Sequence, residues 1–359
     1  ITGAPVLHDG VLFVPVSSLE VQLAVNPEYE CCTGRGSVVA YDVLTGARKW
    51  KTYTIPDEPT VQYVNAAGTD MYGPSGSTVW NSPTIDISRN QLYVGTGENM
   101  SSPADGTSDA IFAMDLNSGK VNWIYQALEG DAWNTACDTR TPQSCPMENG
   151  PDFDFGAGTM MVTTGAGRDL VVGGQKSGYV HALDPDSGKL VWKTRVGRGG
   201  IQGGVHFGMA AGDGKIYVPI SDGPDGRDYD MAPQPGLHAL DSDTGEILWY
   251  SPAPTDICKG RNFCDPGIGQ AISVISGKVF AGGMDGVMRA YDPDSGEVLY
   301  EIDTTTSFVT ISGEVSSGGS FGGASGATAN NGLVVLSSGY GLYNHMPGNL
   351  LLVLKSPSH

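Results

Sequence analysis

Apolar and polar residues alternate along this chain in short runs, and no long stretch repeats at helical spacing. Val11 to Val16 reads as a buried strand, Gln91 to Gly95 as a second, and Leu170-Val-Val-Gly-Gly and Val279-Phe-Ala-Gly-Gly as strands of two hairpins. Gly, Asp, Asn and Ser, the residues of tight turns, separate such runs. The pattern predicts an all-β chain.

A repeat organises these strands. It runs Ala, an aromatic or aliphatic residue, Asp, three residues, Gly, three residues, Trp. It occurs as Ala40-Tyr41-Asp42…Gly46…Trp50, Ala113-Met114-Asp115…Gly119…Trp123, Ala182-Leu183-Asp184…Gly188…Trp192 and Ala239-Leu240-Asp241…Gly245…Trp249. A fifth copy, Ala290-Tyr291-Asp292…Gly296, ends in Tyr300. In each copy a strand ends at the Asp, which caps the turn. The Gly supplies a positive φ, and the next strand carries the Trp back against a neighbouring unit. With the preceding hairpin, each copy makes a four-stranded sheet, spaced about 50 to 70 residues apart, which is the signature of a β-propeller. Six units are visible, the first over residues 1–52 and the last from about 319 to 354. Residues 1–354 therefore read as one propeller and residues 355–359 as a tail. Residues 131–149 and 222–235 break the rhythm as long surface loops of the kind that carry ligands on a propeller face.

Composition narrows the functions. A formal charge of −19 with no Lys/Arg stripe argues against nucleic-acid binding, and many of the acids sit in turns such as Asp184-Pro-Asp-Ser. No apolar run approaches the roughly 18 residues that span a bilayer. The chain opens at Ile1 without a signal-peptide pattern, as expected of a mature, processed or partial chain. Six cysteines fall into close pairs, Cys31/Cys32, Cys137/Cys145 and Cys258/Cys264. Such spacing fits loop disulfides and an oxidising compartment, although the adjacent pair requires a strained ring; no CxxC or Cys/His cluster supports zinc.

Two places carry candidate chemistry. In residues 76–99, Trp80 stands among Ser77, Thr78 and Ser82, and Glu98 closes the glycine bend Gly95-Thr-Gly-Glu. An indole with an open face beside a framed carboxylate suits a flat, anionic, metal-chelating cofactor. Further on, Asp152 and Asp154 alternate about Phe153. On a strand they would share a side, and two acids on a buried side need a reason.

The repeat resembles that of the tryptophan-docking propellers of pyrroloquinoline quinone (PQQ) dehydrogenases. The segments Glu28-Tyr-Glu-Cys-Cys-Thr-Gly-Arg-Gly-Ser-Val-Val-Ala, Pro151-Asp-Phe-Asp-Phe-Gly, Gly174-Gln-Lys-Ser-Gly and Met346-Pro-Gly-Asn-Leu-Leu-Leu are similar to its polyvinyl-alcohol dehydrogenase branch. That resemblance implies an eight-bladed norm, PQQ on the propeller axis and calcium held by carboxylates, with a lanthanide as the alternative metal. It implies Glu20, Glu98 and Asp154 as metal ligands, and Trp80, Thr78, Arg35, Ser18 and Lys176 as cofactor contacts. Glu98 is a departure, since relatives more often carry Asn or Asp there. Asp154 is implied as the catalytic base with Lys176 polarising the quinone; an alternative register makes Asp152 the base and Asp154 an added metal ligand. Cys31-Cys32 falls between Glu20 and Arg35, near the expected cofactor. The implied activity is oxidation of secondary or polymeric alcohols in the periplasm or outside the cell. With no CxxCH haem motif here, any cytochrome c acceptor is expected to be a separate chain or to lie in a portion absent from this sequence. The competing expectation is a non-catalytic propeller of the same repeat, acting as an extracytoplasmic scaffold.

Overall fold

The computed structural model describes residues 1–140 and 142–355. The chain is a β-propeller type of fold made mainly of antiparallel sheets, with short two-stranded pairings between them, one of which, Gly269–Gln270 with Gly322–Gly323, is parallel. The first four-stranded sheet contains Val6–His8, Val11–Val16, Ser37–Asp42 and Arg48–Tyr53. The second contains Thr84–Asp86, Gln91–Gly95, Ala110–Asp115 and Val121–Gln126, and the third Met160–Thr163, Asp169–Gly174, Tyr179–Leu183 and Leu190–Arg195. The fourth contains Ala210–Gly212, Lys215–Ile220, Gly236–Asp241 and Ile247–Pro252, and the fifth Ser273–Ile275, Lys278–Gly282, Val287–Tyr291 and Val298–Asp303. The sixth has three strands, Thr328–Asn330, Leu333–Ser338 and Leu350–Lys355, where four are expected from residue 319 onward. Lys355 closes that last strand instead of opening a tail; residues 356–359 lie outside the described residues.

The repeat folds as its turn chemistry requires. Asp42 Oδ1 accepts the amides of Leu44 and Thr45 at 3.2 and 2.8 Å and the Thr45 hydroxyl, and Asp115, Asp241 and Asp292 cap their turns in the same way. The glycine four residues on holds a φ between 68° and 74° in all five copies. It also has a role that turn chemistry alone does not reveal. Each tryptophan of one copy lies on the turn glycine of the next: Trp50 on Gly119, Trp123 on Gly188, Trp192 on Gly245 and Trp249 on Gly296. A β-carbon on any of the four glycines would come within 2.5–2.6 Å of the indole. Beside this contact each indole N–H donates to a carbonyl of the same turn, Leu116, Pro185, Ser242 or Pro293, at 3.0–3.2 Å. Tyr300, which replaces the fifth tryptophan, is half exposed.

The chain divides into two compact units. One comprises Ile1–Met161, Val171–Lys176 and Leu183–Val191; the other comprises Val162–Leu170, Ser177–Ala182 and Trp192 onward. In the first unit, Phe13, Val38, Trp50, Leu92, Val94 and Phe112 form one core, and Tyr93, Ile111, Phe155, Val171 and Leu183 a second. A third packs Cys31 and Cys32 against Ala24, Met71, Met100 and Ala136. In the second unit one core gathers Tyr217, Leu237, Ile268, Ile272, Val279 and Tyr291.

All three expected disulfides form, Cys31–Cys32, Cys137–Cys145 and Cys258–Cys264. Segment 131–149 is not wholly the surface loop expected. Residues 131–134 are buried because the main chain there pairs with Asn99, whose amide donates to the Asp131 carbonyl at 3.0 Å and whose carbonyl accepts from Trp133 at 2.8 Å. Asp222 is likewise buried, collecting the amides of Arg198, Gly199, Gly204 and Gln234, while much of 224–233 is exposed.

Candidate active site

The fully buried strand Gln91–Gly95 runs into Thr96, Gly97 and Glu98. Gly97 donates its amide to the Thr78 carbonyl at 3.0 Å, which ties this bend to the segment carrying Trp80. Space for a side chain at Gly97 is tight. A β-carbon would stand 3.0 Å from Asp154 Oδ1 and 3.3 Å from Trp80 Nε1. The glycine is therefore what lets an indole and a carboxylate approach the same point.

The acids of residues 152–154 arrive by a route that alternation does not describe. Residues 151–156 form no strand, and Asp152 adopts a left-handed φ of 63°. Asn81 fixes the next residues by donating its amide to the carbonyls of Gly95 (2.9 Å) and Phe155 (2.7 Å), and the Phe155 amide donates to the Thr96 carbonyl at 3.1 Å. Phe155 itself is fully buried. Lys176 follows the strand Asp169–Gly174 and donates its amide to the Asp154 carbonyl at 3.0 Å. Its ammonium lies 2.8 Å from Asp152 Oδ2 and 3.2 Å from Asp154 Oδ2. The two aspartates do converge, on a cation.

Glu98, Asp152 and Asp154 are all buried and offer carboxylate oxygens within 4.8 Å of one another. Burial pushes the Glu98 carboxyl well up, and the charges of Asp154 and Asp152 push it further. Burial also raises Asp152 strongly, against the pull of Lys176. At Asp154 burial acts upward too. There the Lys176 ammonium and hydrogen bonds from Glu98, including its amide at 3.0 Å, prevail and hold the group below its ordinary value. Burial works to discharge Lys176, but Asp152 and Asp154 overcome it and keep the ammonium charged. Three carboxylates thus face one ammonium in a dry pocket, an arrangement completed by protons or by a further cation. An all-oxygen donor set of this kind fits a hard metal ion such as calcium.

The other expected site residues are placed differently. Glu20 opens the short helix Glu20–Leu23, and its carboxylate lies outside the group of three. It accepts hydrogen bonds from the Tyr29 hydroxyl at 3.1 Å, the Thr33 amide and hydroxyl, the Gly34 amide and the Ser18 hydroxyl. Ser18 thus serves Glu20. Arg35 stacks 3.9 Å over the Tyr53 ring and donates to the carbonyls of Ile55, Pro56 and Asp57. Thr78 is buried, and Trp80 is half-buried beside Gly97. Gly97 and Asn81, which no sequence argument singled out, do most to bring the acids and the indole together. In the second unit a small recess is lined by residues that include His206, Phe207, Phe321, Tyr340 and His345.

Comparison with known proteins gives the following. Residues 5–144 match the family model "Glucose/ethanol/alcohol dehydrogenase, beta-propeller domain", and residues 176–341 match "Outer membrane protein assembly factor BamB". The polyvinylalcohol dehydrogenase of Pseudomonas sp. is 42% identical over 342 residues, covering 94% of this chain and 52% of that protein. The polyvinylalcohol dehydrogenase of Sphingopyxis sp. (strain 113P3) is 40% identical over 346 residues, with the same coverage. The chain spans about half the length of these relatives. Among solved structures, the quinohemoprotein alcohol dehydrogenase of Comamonas testosteroni shares the fold. Its TM-score is 0.63 at 20% identity, over 100% of this chain and 61% of that one.

Proposed function

The chain belongs to the family of PQQ-dependent alcohol dehydrogenase propellers, and from that premise we propose that it carries the catalytic centre of an enzyme oxidising secondary or polymeric alcohols. The observation that supports this most is the buried group Glu98, Asp152, Asp154 and Lys176 beside Trp80. In this reading Glu98, Asp152 and Asp154 hold a divalent metal, calcium first; three carboxylates would equally suit a trivalent lanthanide. PQQ, when bound, would supply a two-electron acceptor, and the Lys176 ammonium and the metal would supply the positive charge that favours its reduction.

The chain's own residues do the rest. Asp154, held ionised by Lys176 and Glu98, accepts the alcohol proton on a carboxylate oxygen. Lys176 fixes both aspartates and keeps a positive charge in the pocket. Burial of all four groups excludes water, so each interaction acts at low dielectric. The half-buried indole of Trp80 offers a flat platform for a planar ring. Glu20, Thr78, Arg35 and Ser18 are proposed to line the cofactor side. Electrons leave to a separate acceptor of the cytochrome c kind, and three disulfides support a periplasmic or extracellular setting.

The second reading, a non-catalytic scaffold propeller, draws support from the match of residues 176–341 to an assembly-factor model. A scaffold has no need of three buried acids facing a single ammonium. The test is to strip the protein of metal, add PQQ and calcium, and follow cofactor absorbance and dye reduction with 2-propanol and a polyol. Uptake with turnover, the turnover lost by at least about 100-fold in Asp154→Asn, supports the dehydrogenase. Loss in Asp152→Asn with Asp154→Asn active would move the base to Asp152. A folded protein that takes up no PQQ would leave the scaffold reading.

A further inference from the structure

Behind the acid group lies another pair of buried acids to which the proposed mechanism gives no part. Asp131 and Asp109 are both fully buried. Asp131 Oδ1 accepts the Asp152 amide at 3.3 Å, and Oδ2 accepts the Phe153 amide at 2.9 Å. Two consecutive amides converge on one carboxylate because Asp152 is in the left-handed region, a geometry that turns successive N–H groups into an anion-binding concavity. A left-handed aspartate is strained, and such strain persists only where the surroundings over-determine it. Asp131 supplies that determination.

The same residue reaches the other wall of the site. Its carbonyl accepts the amide of Asn99, the residue after Glu98, at 3.0 Å. Its neighbour Ala132 accepts the Gly150 amide at 2.9 Å, which closes the neck of the loop that leads to Asp152. Gly150 must lack a side chain, since a β-carbon there would overlap Asp131 Oδ1. Asp109 donates its own amide to the Gly97 carbonyl at 3.1 Å. Neither carboxylate oxygen of Asp109 has a hydrogen-bond partner, and burial, with the charge of Asp131 next, pushes this carboxyl well above the ordinary range. Asp131 therefore ties together two stretches of main chain, Asn99 through its carbonyl and Asp152–Phe153 through its carboxylate.

We propose that Asp131 is a positioning residue for the acid centre: its carboxylate, by accepting the amides of Asp152 and Phe153, holds Asp152 left-handed and so sets Asp152 and Asp154 against Glu98 and Lys176. This rests on the reading of that centre as a metal and catalytic site.

The experiment compares the metal-stripped wild type with Asp131→Asn and Asp131→Ala. It measures amide hydrogen exchange over residues 151–155, calcium binding by calorimetry, and dye-reduction kcat and KM after PQQ and calcium are added. The expected result for Asp131→Ala is at least tenfold faster exchange at 152–153, a calcium affinity lowered about 10- to 100-fold and a lower kcat at unchanged KM. Asp131→Asn, which keeps one acceptor oxygen, falls between, and it carries the test if the alanine variant does not fold. Exchange as slow as in the wild type overturns the proposal, as does faster exchange with unaltered calcium affinity and kcat. A wild type that binds no calcium refutes the metal reading instead, and the exchange comparison still decides whether Asp131 braces the chain.

Discussion

Two glycines of the repeat provide a controlled test of tryptophan docking. Gly46 and Gly119 occupy the same turn position with φ of 70° and 71°. They differ in what surrounds them. Nothing lies within 4 Å of a β-carbon on Gly46, whereas one on Gly119 would stand 2.5 Å from Trp50 Cε3 and 2.6 Å from Thr52 Oγ1. Alanine at either position incurs the left-handed penalty of about 1–2 kcal/mol. At Gly119 the added methyl must also push the indole out, and overpacking of this kind costs about 1–3 kcal/mol more. Displacing the ring further stretches the bond from Trp50 Nε1 to the Leu116 carbonyl, now 3.0 Å, which is worth about 1 kcal/mol. Gly119→Ala should therefore be less stable than Gly46→Ala by about 2 kcal/mol or more. In a unit of this size that separates the melting midpoints by about 4–8 °C. Thermal unfolding followed by indole fluorescence measures both. Equal shifts in the two variants would refute the docking argument and leave only the turn conformation.

Three further outcomes follow from other parts of the molecule. Burial pushes the His238 imidazole, stacked on Tyr250 at 4.2 Å, down to about 4. The unfolded chain takes up that proton below about 6.5, so the neutral histidine's contribution is complete above that pH and is lost as pH falls toward 4. The loss is about 2 kcal/mol by pH 5; urea midpoints at pH 7.5 and 5 should show a smaller drop in His238→Phe than in the wild type, and identical drops would contradict this. Opening the Cys137–Cys145 bridge by a double serine variant frees a loop with a sequence separation of 8 and should lower stability by about 2–3 kcal/mol, read from the same midpoints. An unchanged midpoint would count against it. Gly97→Ala places a methyl 3.0 Å from Asp154 Oδ1 and 3.3 Å from Trp80 Nε1. It should lower turnover of the reconstituted protein by at least about tenfold while shifting the melting midpoint little, and full activity would sink this account of Gly97.

The parts of the fold that rest on local chemistry were legible in the sequence. The Asp and Gly of each repeat act within four residues, and the tryptophan spacing announced a unit that packs on another. What could not be read was the second role of the turn glycine, because the indole above it comes from about 50 to 70 residues earlier. The final sheet was overestimated at four strands; no motif copy lies within it to mark its turns.

The site divides in the same way. Asp152 and Asp154 were expected together by strand alternation and do meet, but through a left-handed residue and a shared lysine, neither of which alternation encodes. Glu20 drew attention by resemblance, while all but one of the donors that occupy its carboxylate sit 9 to 14 residues further on, in a segment noticed for its cysteines. Asp131 escaped notice because a stretch rich in Pro, Asn and Cys reads as exposed loop. Only the pairing with Asn99 draws its first residues inside.

The central claim is that Glu98, Asp152 and Asp154 together hold the metal. Crystals grown with a lanthanide in place of calcium, measured at its absorption edge, locate the ion directly. The account predicts one strong anomalous peak within bonding distance of all three carboxylates. A peak at the Glu20 carboxylate with none among the three, or no bound ion in a well-ordered crystal, would contradict it.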